Sequence, residues 1–391
     1  MKTIVFFCIP AYGHTNPTLE VVRELVSRGN EVVYYSYNEF KPLIEAVGAK
    51  FISLDECNLE KELSPEDTVR LGKDIVFSTK LLVDTTLAVD DKIMKDMERL
   101  KPDCIVADSM AVWGRLIAKK LAIPFVSSTT TFAFNKESAK IMKGSLKDAF
   151  KMILGVPKMN KYIQKLKDKG YKIDSFLDLI KNDENTNTIV YTSEQFQPCA
   201  ETFSNKFAFV GPSIRQKDNT IQLNICKERE KLIYISMGTV NNDLVSFYKK
   251  CIEQLKNTSY DVIMSVGNKV DIDSLGNLPK NIKVYNKVDQ LAVLELADVF
   301  VTHCGMNSVN EALYYEVPLV MYPKTSEQQG VANRVMQLEA GVMLGSEDKL
   351  VEGIKEVLDN KKYKANVIKI SQGFKACSGP TGAADKILEC I

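Results

Sequence analysis

The chain lacks the patterns that would make it a metalloprotein, a disulfide scaffold, a membrane protein or a nucleic-acid binder. Its nine cysteines are odd in number and scattered, with no CxxC pair, and several, such as Cys8 and Cys104, lie inside apolar runs. That usage excludes a disulfide framework and a cysteine zinc site and fits a reducing, cytoplasmic setting. No apolar run reaches the roughly 18 residues needed to span a bilayer. The stretch after Met1-Lys2 has neither an extended basic head nor a cleavage site, so it reads as a first core strand, not a signal peptide. Neither charge sign dominates: Lys plus Arg total 51 and Asp plus Glu 50, which leaves no footprint for nucleic acid or an anionic membrane surface. No GxGxxG follows the apolar runs at 3–9 or 232–235, and there is no P-loop, which argues against an NAD-linked oxidoreductase. Low-complexity segments and short repeats are absent too.

What is present is the composition of a soluble globular protein, 45% apolar and 26% charged over 391 residues, enough for two or three domains. Buried-strand patterns at 3–9, 32–36, 51–54, 103–108, 124–127, 188–192 and 207–210 alternate with helical stretches. Residues 55–100 and 129–185 are expected to be helices and loops. After Gly211-Pro212 the polar segment to Cys226 reads as a linker. A second series of strands then follows, at 232–235, 261–265, 282–285, 299–301 and 318–321, with a mostly helical chain beyond Gly341. Alternation of this kind is the grammar of parallel α/β sheets, here two doubly wound, Rossmann-like domains with a cleft between them.

The densest stretch is Asp298 to Val335. A strand, Val299-Phe300-Val301, breaks at His303-Cys304-Gly305 and restarts as a helix from Met306, so His303, Gly305, Asn307 and Ser308 fall at a strand's carboxyl end, where such sheets bind ligands. The helix start offers unpaired N–H groups and a positive dipole end, and Gly305 allows close approach, which suits a diphosphate. Asn307 and Ser308 add short donors, His303 an imidazole N–H, and Glu311, one turn on, an acceptor for ribose hydroxyls.

The run His303-Cys304-Gly305-x-Asn307-Ser308-x-x-Glu311, with Val317-Pro318, Pro323 and Glu327-Gln328, resembles the donor-binding signature of UDP-sugar-dependent family 1 glycosyltransferases, including the bacterial macrolide branch. The resemblance implies the GT-B architecture, with domains at 1–211 (acceptor and base) and 227–372 (UDP-sugar donor), a linker at 212–226, and a C-terminal helix in 373–391 packing back on the first domain. It implies that His303, Asn307 and Ser308 hold the diphosphate, Glu311 the ribose, and Glu327 and Gln328 the sugar hydroxyls. It places Val288 and Gln290 at the uracil ring and Gly238-Thr239 at a donor-phosphate turn. Two positions depart from the pattern: Glu316 stands where the family usually has glycine, and Glu327 where an aspartate is common.

The chain has only two histidines, one in each half, each in a glycine-containing turn after a core strand. Both are expected to face the cleft. His14 suits a general base, because an alcohol must lose its proton as it attacks an anomeric carbon and an imidazole titrates near neutrality. Asp108, ending the strand at 103–108, is the acid expected to orient it; the alternative is a simple helix cap. The resemblance supports both roles. One displacement predicts inversion, without a metal or other cofactor. Asp271-Ile272-Asp273 spells a DxD but lies in a polar, glycine-dotted segment and reads as a solvated loop.

The expected activity is hexose transfer, glucose first, from a UDP-sugar to a hydroxyl of a small lipophilic acceptor such as a macrolide or flavonoid. Phe77, Met110, Phe132, Phe134 and Met142 are the apolar residues that could receive it. Rival readings are a UDP-GlcNAc-type epimerase or cell-wall transferase of the same architecture, and a non-catalytic nucleotide-sugar-binding partner protein.

Overall fold

The structure, a computed structural model, is described for residues 1–57, 64, 67, 70, 74–141, 146–180, 184–215, 228–238 and 244–391. It divides into two compact units, Met1–Ser213 with Ser378–Ile391, and Ile214–Cys377.

The first unit is built on β1 (Thr3–Phe7), β2 (Glu31–Ser36), β3 (Lys50–Ser53), β4 (Cys104–Asp108), β5 (Phe125–Thr129), β6 (Asn187–Val190) and β7 (Phe207–Phe209). They pair in parallel in the order β3-β2-β1-β4-β5-β6-β7. Ile4 to Phe7 and Cys104 to Ala107 are almost wholly buried, as expected of central strands covered on both faces. The helices are α1 (Tyr12–Ser27), α2 (Lys41–Ala46), α3 (Ile75–Leu100), α4 (Val112–Leu121), α5 (Lys136–Ile141), α6 (Leu146–Asp168) and α7 (Phe176–Ile180). Asp74 starts α3 by accepting from the N–H groups of Val76 and Phe77, both at 3.1 Å. Lys101, left-handed at φ 46°, ends it before Pro102.

α1 begins at Tyr12, so His14 lies in the first turn of the helix and not in a loop before it, and Pro17 stands inside the helix. The proline removes the donor that the Gly13 carbonyl would otherwise take.

The second unit carries β8 (Lys231–Ser236), β9 (Tyr260–Ser265), β10 (Ile282–Tyr285), β11 (Val299–Thr302), β12 (Leu319–Met321) and β13 (Gly341–Met343), all parallel, in the order β10-β9-β8-β11-β12-β13. Its helices are α8 (Val245–Leu255), α9 (Gln290–Leu294), α10 (Met306–Tyr314), α11 (Ser326–Gln337), α12 (Leu350–Asp359) and α13 (Lys361–Lys375). The sequence pattern missed β13, because its three residues begin with a glycine. That glycine is required: a Cβ on Gly341 would lie 2.2 Å from the Leu319 carbonyl oxygen.

Residues 216–226 of the expected linker lie outside the described residues. The returning segment begins at Ser378, not 373, since α13 runs to Lys375 in the second unit. Helix α14 (Gly379–Leu388) then joins the first unit. Gly379 N–H donates to Val210 O at 2.8 Å, Arg28 pairs with Asp385 at 2.5 Å, and Ala383, Ala384 and Ile387 are buried in the same core.

Glu316, at the glycine position of the family pattern, adopts the left-handed conformation, φ 63°. Its carbonyl accepts from Lys364 at 2.7 Å, and its carboxylate meets Lys375 at 3.2 Å.

Candidate active site

In each sheet the strand order reverses direction once, between β1 and β4 and between β8 and β11. Crevices at the carboxyl ends of such a pair are where doubly wound sheets bind ligands. The two histidines follow β1 and β11.

In the first unit, His14 Nδ1 lies 2.8 Å from Asp108 Oδ2. The Asp108 side chain is fully buried, while His14 keeps 19% of its side chain exposed. Asp108 Oδ1 accepts from Met110 N–H at 2.8 Å, so both carboxylate oxygens have partners. The plain helix-cap alternative fails, because α4 is preceded at its cap position by Ala111. A carboxylate on Nδ1 favours the tautomer with the hydrogen there and leaves Nε2 as the ring's acceptor. Thr130 Oγ1, just beyond β5, lies 2.9 Å from the same nitrogen. Sequence reasoning missed it; the run Thr129-Thr130-Thr131 at a strand end was the available signal.

In the second unit His303 is wedged between backbones. A Cβ on Gly238 would lie 2.5 Å from the ring's Cε1 and 2.7 Å from Nε2; a Cβ on Gly305 would lie 2.8 Å from Nε2. Gly238 is left-handed at φ 84°, and Cys304, between His303 and Gly305, holds φ 68° without being glycine. Thr302 Oγ1 supports that turn by accepting from Cys304 N–H at 3.3 Å. Burial pushes the His303 pKa down to about 4, so the ring is neutral at pH 7 and carries one N–H. Nδ1 is buried without a partner among the described residues. A hydrogen on Nε2 therefore gives a donor at the edge bounded by the two glycines. Gly305 caps α10 with no side-chain hydrogen bond, which leaves the first N–H groups of that helix for a ligand. Thr239 lies outside the described residues.

Behind this turn is a polar network. Glu311 is buried; its Oε2 accepts from Gln290 Nε2 at 2.6 Å and its Oε1 from Asn307 Nδ2 at 3.2 Å. Burial raises the Glu311 pKa, and Gln290, Arg215 and Asn307 pull against that shift. Gln290 also donates to Ser308 Oγ at 3.3 Å and accepts from Tyr234 O–H at 3.2 Å. Asp289, next to it, is buried, caps α9 and pairs with Arg215 at 2.8 Å. Val288 is buried alongside. The structure thus brings Gln290, Asn307, Ser308 and Glu311 together, and adds Tyr234, Arg215 and Asp289, which no motif announced.

Glu327 and Gln328 stand apart from that network at the start of α11. Glu327 is exposed. The Gln328 side-chain oxygen Oε1 accepts from Lys324 and Thr325 N–H at 2.8 and 3.2 Å, closing a capping box with Thr325. A sugar hydroxyl would therefore meet the Gln328 amide N–H₂ and not its oxygen. Asp271 accepts from Asp273 N–H at 3.1 Å and caps the turn Ile272–Leu275; both acids are exposed.

Of the apolar residues suggested for an acceptor, Phe132 is core, packed on Phe196 at 5.6 Å. Phe77 is half-buried beneath the Arg70 guanidinium, and Met142 lies outside the described residues. Met110 and Phe134 are 46% and 45% exposed, the first two residues past Asp108 and the second four past Thr130. Among the described residues no helix is long and apolar enough to cross a membrane.

A family model described as UDP-glucoronosyl and UDP-glucosyl transferase matches residues 229–376. The chain is 33% identical over 405 residues to the uncharacterized UDP-glucosyltransferase YojK of Bacillus subtilis, covering 100% of this chain and 98% of that one. It is 24% identical over 391 residues to the oleandomycin glycosyltransferase of Streptomyces antibioticus, covering 98% and 90%. Among solved structures, the glycotransferase of kitacinnamycin superposes with a TM-score of 0.86 at 25% identity, over 100% of this chain and 99% of that chain.

Proposed function

Because the chain belongs to the UDP-glucuronosyl and UDP-glucosyl transferase family, an enzyme family of GT-B glycosyltransferases, we propose that it moves a hexose, glucose first, from a UDP-sugar to a hydroxyl of a small lipophilic acceptor, with inversion and without a metal. The observation that carries the mechanism is the 2.8 Å contact of His14 Nδ1 with the buried Asp108 carboxylate. With the hydrogen held on Nδ1, Nε2 takes the proton of the acceptor hydroxyl as its oxygen bonds to the anomeric carbon. The bond from that carbon to the diphosphate oxygen breaks, and the electron pair leaves with UDP. His303 Nε2–H and the open N–H groups of α10 stabilise the charge gathering on the diphosphate, the role a metal plays elsewhere. Gln290, Asn307, Ser308 and Glu311 present a polar wall for the ribose and Val288 an apolar edge for the base. Glu327 and the Gln328 amide are left for the sugar. Met110 and Phe134 supply apolar surface for the acceptor near the base.

The test is transfer from UDP-glucose to a panel of phenols, flavonoids and macrolides, read by mass spectrometry. The product should be a β-glycoside by NMR, and excess EDTA should leave the rate unchanged. General-base catalysis contributes about 10²–10⁴ in rate, so His14→Ala should lower kcat by that order with little change in donor KM. Normal turnover by His14→Ala, a retained anomer, or loss in EDTA restored by Mn²⁺ would each overturn the corresponding part. Sugar loss from the donor in the absence of any acceptor would favour the epimerase reading instead.

A further inference from the structure

The His14 Nδ1 atom has two hydrogen-bond partners and at most one hydrogen. Asp108 Oδ2 is at 2.8 Å and Thr130 Oγ1 at 2.9 Å. If that nitrogen were unprotonated, its lone pair would face a buried carboxylate, a repulsive arrangement in a dry site. The hydrogen therefore resides on Nδ1, and the threonine oxygen is a second acceptor for it.

We propose that Thr130 is a positioning residue for His14, its hydroxyl oxygen sharing the Nδ1 hydrogen with Asp108 so that the imidazole plane is fixed and Nε2 is held toward the acceptor hydroxyl. The proposal rests on the general-base role given to His14 above. One partner on a ring nitrogen lets the ring pivot about that contact, whereas two partners at the ends of neighbouring strands define its plane. Those strands are rigidly matched. β4 and β5 pair with Asp108 opposite Ser128, and Ser109 N–H donates to Ser128 O at 2.9 Å, so Thr130 is carried just past Asp108. Thr130 is 5% exposed, which limits its rotamers to what packing allows. Its neighbours do not duplicate it: Ser128 Oγ donates to Tyr191 Oη at 3.1 Å, and Thr131 Oγ1 to Phe132 O at 3.4 Å. As the acceptor's proton arrives on Nε2 the ring becomes a cation, and the Nδ1 hydrogen is then drawn to both oxygens more strongly than in the resting enzyme. The benefit falls on the transition state, so it belongs to kcat.

The experiment uses the full chain with a fixed UDP-sugar and a series of phenols from weakly to strongly acidic. Thr130→Val removes the hydroxyl at constant shape; Thr130→Ala is a second removal should valine disturb folding. Thr130→Ser restores the oxygen, and Ser128→Ala deletes a buried hydroxyl that does not touch the ring. For a weakly acidic phenol, Thr130→Val should lose roughly tenfold in kcat, the scale of one hydrogen bond, with both KM values within about twofold. The loss should shrink for a nitrophenol, which ionises without help and needs no base. Thr130→Ser should lie within about twofold of the wild type, and Ser128→Ala should show no dependence on phenol acidity. A deficit equal across the series, a valine variant as fast as wild type, or a serine variant as slow as valine would overturn the proposal. A wild-type chain that transfers sugar but shows a flat pattern in the variants refutes the role of Thr130 alone. One that transfers none refutes the function and this role together.

Discussion

Burial holds His303 neutral at pH 7, with the Gly238 and Gly305 backbones close against its ring. The same burial has a consequence for stability. Its pKa in the folded chain is about 4 against an ordinary value of 6.5. Between those values the unfolded chain binds a proton that the folded chain does not, so stability is full above about pH 6.5 and falls as pH drops toward 4. A gap of that size corresponds to about 3 kcal/mol over the window. Glu311, whose pKa burial raises, acts in the opposite sense, since its contribution grows as pH falls. The difference between wild type and His303→Gln cancels that common part. Urea unfolding should therefore show the variant losing less stability than wild type from pH 7 to pH 5. Parallel pH profiles would mean that the ring is solvated in the folded state. The motif named the histidine, Gly305 and the helix start, and the resemblance put Gly238 at a donor-phosphate turn. That Gly238, just past β8 and some sixty residues earlier, walls the His303 ring was not legible, because only the parallel pairing of β8 with β11 brings the two together.

At the scale of the element, the turn from α10 into β12 places a glutamate in a conformation that favours glycine. A left-handed conformation costs an ordinary L-residue about 1–2 kcal/mol, and glycine nothing, although glycine gives back about 0.5–1 kcal/mol in chain entropy. The Glu316–Lys375 pair joins an exposed lysine to a half-buried glutamate near the surface and is worth at most about 1 kcal/mol. These terms nearly cancel, so Glu316→Gly should remain within about 1 kcal/mol of wild type, whereas Glu316→Val, β-branched at positive φ, should lose clearly more. Thermal or urea unfolding ranks the three. A glycine variant less stable than the valine variant would show that the lysine contacts, not the backbone angle, hold the turn. The sequence revealed most strands through continuous apolar runs such as Thr3–Phe7 and Lys231–Ser236. It failed where an element is short and glycine-led, as at β13, and where a helix starts without a side-chain cap, as at Tyr12. In those places long-range pairing and packing decide, and no local pattern records them.

At the scale of the whole molecule, each set of proposed site residues lies within its own unit. The second unit alone holds Gly238, His303, Gln290, Asn307, Ser308 and Glu311, and the first alone holds His14, Asp108 and Thr130. That division could be anticipated from the sequence, because each histidine follows a core strand in a different half. The network behind Glu311 could not, because Tyr234, Arg215 and Asp289 belong to no shared motif and meet only through the fold. Under the proposed function, UDP without sugar or acceptor is a ligand for the second unit. A ligand at a hundredfold excess over its Kd stabilises the unit that binds it by about 2.7 kcal/mol and slows exchange through opening of that unit by about a hundredfold. Hydrogen exchange read by mass spectrometry should therefore show UDP protecting peptides around residues 233–238, 285–294 and 302–311. Peptides spanning His14 and Asp108 should exchange at nearly their free rates. Protection centred on His14 and Asp108, with 302–311 unchanged, would place the nucleotide in the other unit and reverse the assignment of donor and base.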